Sequence, residues 1–309
     1  MIRPAFEGYF ADPFVMRMGR SYIAYGGSGA AASGGMVFDA LASSDLTSWQ
    51  SRGQVLRCAD PALGADYWAP EVIHLHGVFW MYYSVGHGID GHHLRVARSE
   101  SPWGPFIDQD VSLTPGESFA IDAHPFRDHD GRLYLFFARD VLDSPRPGTH
   151  LAVMEMESPV EARGDVVSVL APNADWQLYE RNRAIYGARY DWHTLEGPAV
   201  VQRGRKYWMT YSGGAWTGDD YAVSWAVADH PRGPWVHAPA GSPPLLSTSD
   251  DLRGPGHNSL TTSPEGTDVI AFHSWDAAQV TRQMHLRYIS FGPEGPRVDG
   301  PIRGPSARR

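Results

Sequence analysis

Apolar residues along the chain fall in short runs broken by turn residues, and a helical period of 3.6 is nearly absent. One unit of this pattern recurs about five times. A polar residue stands beside a proline or a small residue, a short apolar stretch follows, then a turn with glycine, then an aromatic-rich run. The first copy is Asp12-Pro13-Phe14-Val15, a turn at Gly19 and Tyr22-Ile23-Ala24-Tyr25. The second is Pro70-Glu71-Val72-Ile73, Gly77 and Phe79-Trp80-Met81-Tyr82-Tyr83. The third is Asp122-Ala123-His124-Pro125-Phe126, Asp130-Gly131 and Leu133-Tyr134-Leu135-Phe136-Phe137. The fourth is Glu196-Gly197-Pro198-Ala199-Val200, Gly204 and Tyr207-Trp208-Met209-Thr210-Tyr211. The fifth is His257-Asn258-Ser259-Leu260, Glu265-Gly266 and Val269-Ile270-Ala271-Phe272. Each copy predicts a β-hairpin, with β-branched and aromatic residues on the second strand.

A third strand follows most copies, most clearly at Leu94–Arg98 and Ala222–Val227. Both lead into matching turns, Pro102-Trp103-Gly104-Pro105-Phe106 and Pro231-Arg232-Gly233-Pro234-Trp235, where proline suits an outer edge because no ladder bond is lost. The leading polar residues stand at 12, 71, 122, 196 and 257. Such spacing fits one four-stranded blade per copy, and predicts an all-β, five-bladed β-propeller in one domain over 1–309, with its core at about 9–300. A β-sandwich gives no reason for a polar residue to open every unit. The longest spacing holds an insertion over 173–194, rich in Trp, Tyr and Arg. It reads either as the rim of a site or as a surface loop packed on itself.

Composition narrows the class. With 42% hydrophobic and 12% aromatic residues the chain can build a large core. A formal charge of −9 and no basic block argue against a nucleic-acid partner, which requires a stripe of counterion-releasing cations. Cys58, the single cysteine, permits no internal disulfide and reads as a small buried residue. No stretch approaches the roughly 18 apolar residues of a membrane span, so no membrane partner is expected. The opening Met1–Glu7 lacks an apolar leader, which sets the expectation of a cytoplasmic protein. Residues 301–309 read as a frayed tail.

In a propeller the innermost strand of each blade lines the axis, so the five leading positions converge. They hold Asp12, Glu71, Asp122, Glu196 and His257. Carboxylates gathered around one axis repel each other and lose solvation, which a purely structural funnel avoids; acid–base work or cation binding explains them better. Cleaving a glycosidic bond needs a proton donor for the departing oxygen and a base or nucleophile across the ring. A carboxyl buried beside another keeps its proton near neutral pH and can serve as that donor.

The motifs Ala11-Asp12-Pro13, Trp68-Ala69-Pro70-Glu71, Ile121-Asp122-Ala123-His124-Pro125-Phe126, Glu196-Gly197-Pro198 and Gly254-Pro255-Gly256-His257-Asn258-Ser259 together resemble glycoside hydrolase family 43, over about residues 9–300. The resemblance implies Asp12 as the general base, Glu196 as the general acid and Asp122 as the group that raises and orients that acid. It further implies inversion by single displacement. His257 matches a histidine associated with a Ca2+ or Na+ ion on the axis, and no organic cofactor is implied. Arg282 matches an arginine that contacts the substrate or the pair formed by the acid Glu196 and Asp122, and Trp68 an aromatic of the pocket wall. His124 and His273 read as substrate-facing polar groups or as satisfied core histidines. Glu71 has no catalytic counterpart and reads as a structural or rim group. Retaining invertase-like enzymes and sialidases carry motifs that are absent here.

The family's activities point to an oligosaccharide or small glycoside as the partner; oligomeric state has no sequence signal. Dedicated β-xylosidases of the family usually add a β-sandwich domain, and this sequence ends soon after its fifth repeat. The expectation is therefore an exo-acting α-L-arabinofuranosidase, with a β-D-xylosidase or dual activity as the alternative. A non-catalytic sugar-binding propeller is the competing class, and would be expected to lack one of the three carboxyls.

Overall fold

The computed structural model describes residues 3–28 and 34–302, so most of the expected tail lies outside them, while Pro301 closes the last strand. The described residues form 21 strands, and helix among them is limited to two short 3-10 turns, Pro61–Leu63 and Asp175–Gln177. Blade 1 is β1 (Ala11–Met18), β2 (Ser21–Gly27), β3 (Met36–Ser43) and β4 (Gln50–Arg57). Blade 2 is β5 (Asp66–Leu75), β6 (Val78–His87), β7 (Asp90–Ser99) and β8 (Ile107–Ser112). Blade 3 is β9 (Ala120–Arg127), β10 (Leu133–Val141), β11 (Gly148–Ser158) and β12 (Glu161–Leu170). An extra strand, β13 (Leu178–Ile185), precedes blade 4, which is β14 (Ala188–Arg203), β15 (Lys206–Gly213), β16 (Ala222–Ala228) and β17 (Val236–His237). Blade 5 is β18 (Arg253–Thr262), β19 (Asp268–Trp275), β20 (Arg282–Gly292) and β21 (Gly295–Pro301).

Each blade is an antiparallel meander in chain order. The innermost strands β1, β5, β9, β14 and β18 contact one another in sequence, and β18 returns to β1, so the ring closes as a five-bladed propeller. The N-terminal segment helps close it: the Ala5 and Phe10 N–H groups donate to the Met284 and Arg282 carbonyls of β20, both at 2.8 Å, before the chain enters blade 1.

The hydrophobic clusters are the blade interfaces. Tyr25 and Phe38 meet Val72 and Tyr83 between blades 1 and 2. Tyr82 and Val96 meet Leu135 and Met154 between blades 2 and 3. Phe136 and Val153 meet Met209 and Tyr211 between blades 3 and 4. Val223 meets Phe272 between blades 4 and 5, and Val269 and Met284 meet Val15 and Tyr22 where blade 5 joins blade 1. The second strand of every blade lies between two neighbours, which is why it is apolar on both faces and reads as a continuous run rather than an alternation.

Every inner strand carries a bulge at the same height. The register slips between Ala11 and Phe14, Trp68 and Glu71, Ile121 and His124, Glu196 and Ala199, and Gly256 and Ser259. At each slip one residue takes positive φ: Asp12 (52°), Ala69 (50°), Asp122 (61°), Gly197 (55°) and His257 (46°). These five are the equivalent positions, which corrects the alignment expected from the sequence. Glu71 lies two residues past its bulge and Glu196 one residue before. Left-handed non-glycine residues cost of order 1–3 kcal/mol each and persist where the surroundings hold them, commonly at functional sites.

Candidate active site

The bulges aim side chains into a pocket of about 350 Å³ at one end of the axis. Asp12 from blade 1, Trp68 from blade 2, Asp122 from blade 3, Glu196 from blade 4 and His257 and Arg282 from blade 5 all line it.

Asp12 is surrounded by cations and potential cations. Arg282 Nη1 donates to Asp12 Oδ1 at 3.3 Å, and the same oxygen lies 3.2 Å from His273 Nδ1 and 3.6 Å from His257 Nδ1. Burial alone would raise the Asp12 carboxyl, but His257, Arg282 and His273 together hold it well below the usual carboxylate range. Arg282 is itself fixed: it donates to Tyr9 Oη at 2.7 Å and stacks 4.7 Å from the Trp216 ring.

Glu196 is pushed the other way. Burial and repulsion from Asp122 raise it to about 8, against the bond it accepts from the Tyr221 hydroxyl at 2.5 Å. Gly256 makes room for Tyr221, since a Cβ there would stand 1.9 Å from its ring. Asp122 is raised to about 6, chiefly by burial, with Asp12 also repelling it and His257 opposing the rise. Its Oδ2 accepts from the Gly197 N–H at 2.8 Å, which ties it to the backbone next to Glu196. His257 Nδ1 stands 3.8 Å from Asp122 Oδ2, between the two aspartates, and their charges with that of Glu196 outweigh burial and raise its pKa. At neutral pH the pocket thus offers an ionised carboxylate in Asp12 and a protonated carboxyl in Glu196. Two carboxyls with opposite shifts are the arrangement that separates a proton acceptor from a proton donor.

Two of the expected substrate-facing residues stand behind the wall. His124 is buried between Glu71 Oε2, 2.6 Å from Nδ1, and the Val200 N–H, which donates to Nε2 at 3.0 Å. Nε2 accepts, so Nδ1 carries the proton and donates to Glu71; the pair bolts blades 2, 3 and 4 together. His273 is fully buried, and its Nδ1 stands 3.2 Å from both the Asp12 backbone nitrogen and Asp12 Oδ1, so it supports Asp12 from behind. Neither lines the pocket, so of their two readings, substrate-facing group and satisfied core histidine, the buried support is the one formed, and both are corrected from substrate contacts. Trp68 lines the pocket and is stacked on the buried His92 with centroids 3.6 Å apart.

Among the described residues no three His, Cys, Asp or Glu side chains converge as direct metal ligands, so a Ca2+ or Na+ ion near His257 would be held largely through water. His257 Nδ1 instead faces two carboxylates, so no chemical step is assigned to a metal there.

The insertion before blade 4 resolves as the β13–β14 hairpin and lines the pocket through Tyr179, Arg183, Tyr186 and Trp192. Of its two readings, rim and self-packed loop, the rim is the one formed. Tyr221, Trp216 and Tyr9 were missed by the sequence reading. Each is an isolated aromatic outside the repeat, and only the three-dimensional arrangement brings it to a pocket carboxyl or to Arg282.

The model of glycosyl hydrolases family 43 matches residues 1–296. The Beta-D-galactofuranosidase xynD of Aspergillus niger is 28% identical over 291 residues, covering 87% of this chain and 75% of that protein. The extracellular exo-alpha-(1->5)-L-arabinofuranosidase of Streptomyces avermitilis is 28% identical over 230 residues, covering 70% of this chain but only 44% of that protein. Among solved structures, a thermostable family-43 glycoside hydrolase superposes with a TM-score of 0.82 at 31% identity, covering 96% of this chain and 95% of the other. The closed ring of five blades, the opposed carboxyls and these matches lead to one conclusion: the chain belongs to glycosyl hydrolases family 43 and is a glycoside hydrolase.

Proposed function

We propose that the protein is an inverting, exo-acting α-L-arabinofuranosidase. The observation that carries the mechanism is the opposite electrostatic setting of Asp12 and Glu196 across one pocket. Glu196 donates its proton to the departing glycosidic oxygen as the C1–O bond breaks. A water held by Asp12 attacks C1 from the opposite face and passes its proton to Asp12. A carboxylate as acidic as Asp12 takes that proton late, when the attacking water has gained positive charge. Asp122 keeps Glu196 protonated by repulsion and fixes the Gly197 backbone beside it.

The pocket volume lies at the small end of ligand sites, about 300–1,000 Å³, and suits the end of a short sugar chain. Two further arabinofuranosidase relatives, from Streptomyces chartreusis and Humicola insolens, support the furanoside choice. The galactofuranosidase relative agrees with it, because β-D-galactofuranose and α-L-arabinofuranose share their ring configuration and differ in the exocyclic chain. A β-D-xylosidase or dual enzyme is the second reading, favoured by a xylosidase/arabinosidase relative from Bacteroides ovatus.

Nitrophenyl glycosides of α-L-arabinofuranose, β-D-xylopyranose and β-D-galactofuranose separate these readings. The arabinofuranoside is expected to be cleaved fastest, and Glu196→Ala to lower turnover of substrates with poor leaving groups most. Faster cleavage of the xyloside replaces the first reading with the second. No release from any of the three, with the sugars still bound, favours a non-catalytic binding propeller.

A further inference from the structure

The blade pattern accounts for the carboxyl end of the pocket. A further wall is built by β13 and the first residues of β14, 188–193, ahead of the stretch of β14 that joins the ring. The hairpin is firmly seated. Gly148 and Thr149 of β11 pair in parallel with His193 and Thr194 of β14, and a Cβ on Gly148 would stand 1.8 Å from the His193 carbonyl oxygen. The Tyr186 hydroxyl donates to Asp140 Oδ2 of β10 at 2.8 Å.

At the centre of this wall the Arg183 guanidinium lies 5.0 Å from the Tyr179 ring and 5.2 Å from the Trp192 ring. Its side chain is 15% exposed, and its nearest carboxylate, Glu180 Oε2, is 3.9 Å from Nε, beyond hydrogen-bond reach. Five N–H donors in a fixed planar fork are thus held between aromatic faces, without a hydrogen-bond acceptor among the described residues. Asp140, Asp90 and Thr149 line the same pocket. Donors and acceptors so interspersed suit a neutral, hydroxyl-rich ligand, whereas an anionic one would meet the two aspartates.

The wall lies on the side of the acid. Trp192, Thr194 and Glu196 alternate onto one face of β14 and all line the pocket. Four residues of strand put Trp192 about 13 Å from Glu196, more than one sugar ring away. Tyr179 is close enough to feel the Glu196 charge. The groups that hold Asp12, by contrast, come from blade 5 and the N-terminal segment.

We propose that Arg183, clamped between Tyr179 and Trp192, binds the sugar units on the leaving-group side of the scissile bond and thereby favours oligosaccharides over small glycosides. The proposal rests on Glu196 being the acid, and holds for either pentose.

The test compares kcat/KM on a nitrophenyl pentoside with that on a linear trisaccharide of the same pentose, for wild type, Arg183→Ala and Arg183→Lys. Arg183→Ala is expected to lose about tenfold or more on the trisaccharide, the worth of a charge-assisted hydrogen bond, and to stay within about twofold on the nitrophenyl pentoside, which has no sugar there. Arg183→Lys is expected to fall nearer to Arg183→Ala than to wild type, since a point charge lacks the planar fork. Equal losses on both substrates would mean that Arg183 only braces the hairpin, and no loss on the trisaccharide would overturn the proposal outright. Wild type that cleaves neither substrate would refute the hydrolytic reading instead. Calorimetric titration of the trisaccharide then decides on Arg183: affinity lost in Arg183→Ala upholds it, and affinity unchanged or absent in wild type ends it.

Discussion

Glu196 and Asp12 are chemically almost the same group, and their surroundings drive them apart. Burial acts upward on both. The charges of His257 and Arg282, with a hydrogen bond to His273, overcome it at Asp12, while Asp122 reinforces it at Glu196. The pH profile of kcat/KM carries the signature. Glu196 must hold its proton to donate it, so activity is expected to fall as pH rises through about 8. Asp12 lies well below the ordinary carboxylate value and adds no acid limb at mildly acidic pH. Asp122→Asn removes the repulsion at Glu196, so its alkaline limb is expected to move to lower pH, together with a lower maximum. A limb that stays in place or moves to higher pH would show that Asp122 does not set the Glu196 proton affinity.

At the scale of the element, the bulge on each inner strand decides which side chains reach the pocket. Hairpins were legible in the sequence because glycine turns and aromatic strands are local signals. Asp12, Asp122 and His257 were legible because they occupy the bulge itself. Glu71 was misplaced because a bulge shifts the register, and a spacing count cannot see where the extra residue falls. Pro13, Pro70 and Pro198, each one residue after its bulge, were the better landmark. The roles of His124 and His273 depend on the direction of their side chains, away from the pocket, which composition does not encode. The β13–β14 hairpin was visible as an aromatic insertion, but its contribution to the pocket follows from a long-range pairing with β11. The Glu71–His124–Val200 link offers a structural test. His124→Phe leaves a buried carboxylate and a buried N–H unpaired, which is expected to cost about 3 kcal/mol in urea denaturation. Replacing Glu71 by Gln in the same chain is expected to recover part of that loss. An unchanged unfolding midpoint in His124→Phe would remove the link from the account.

The whole molecule holds together residues that are distant in the chain. Asp12, Asp122 and Glu196 come from blades 1, 3 and 4, and their mutual placement depends on closure of the ring. Closure is supported by the Ala5 and Phe10 bonds to β20, which also bring Tyr9 to Arg282 and so reach Asp12. In the mechanism we propose, the funnel holds Asp12 and Glu196 on opposite sides of a bound sugar, leaving water to be the nucleophile. The central claim is this single displacement, and the anomer of the first-formed product reads it most directly. Proton NMR during the first minutes of hydrolysis, before mutarotation, is expected to show the released pentose with the configuration at C1 opposite to that of the substrate. Initial release with the configuration retained would mean a covalent glycosyl-enzyme and would contradict the roles given to Asp12 and Glu196.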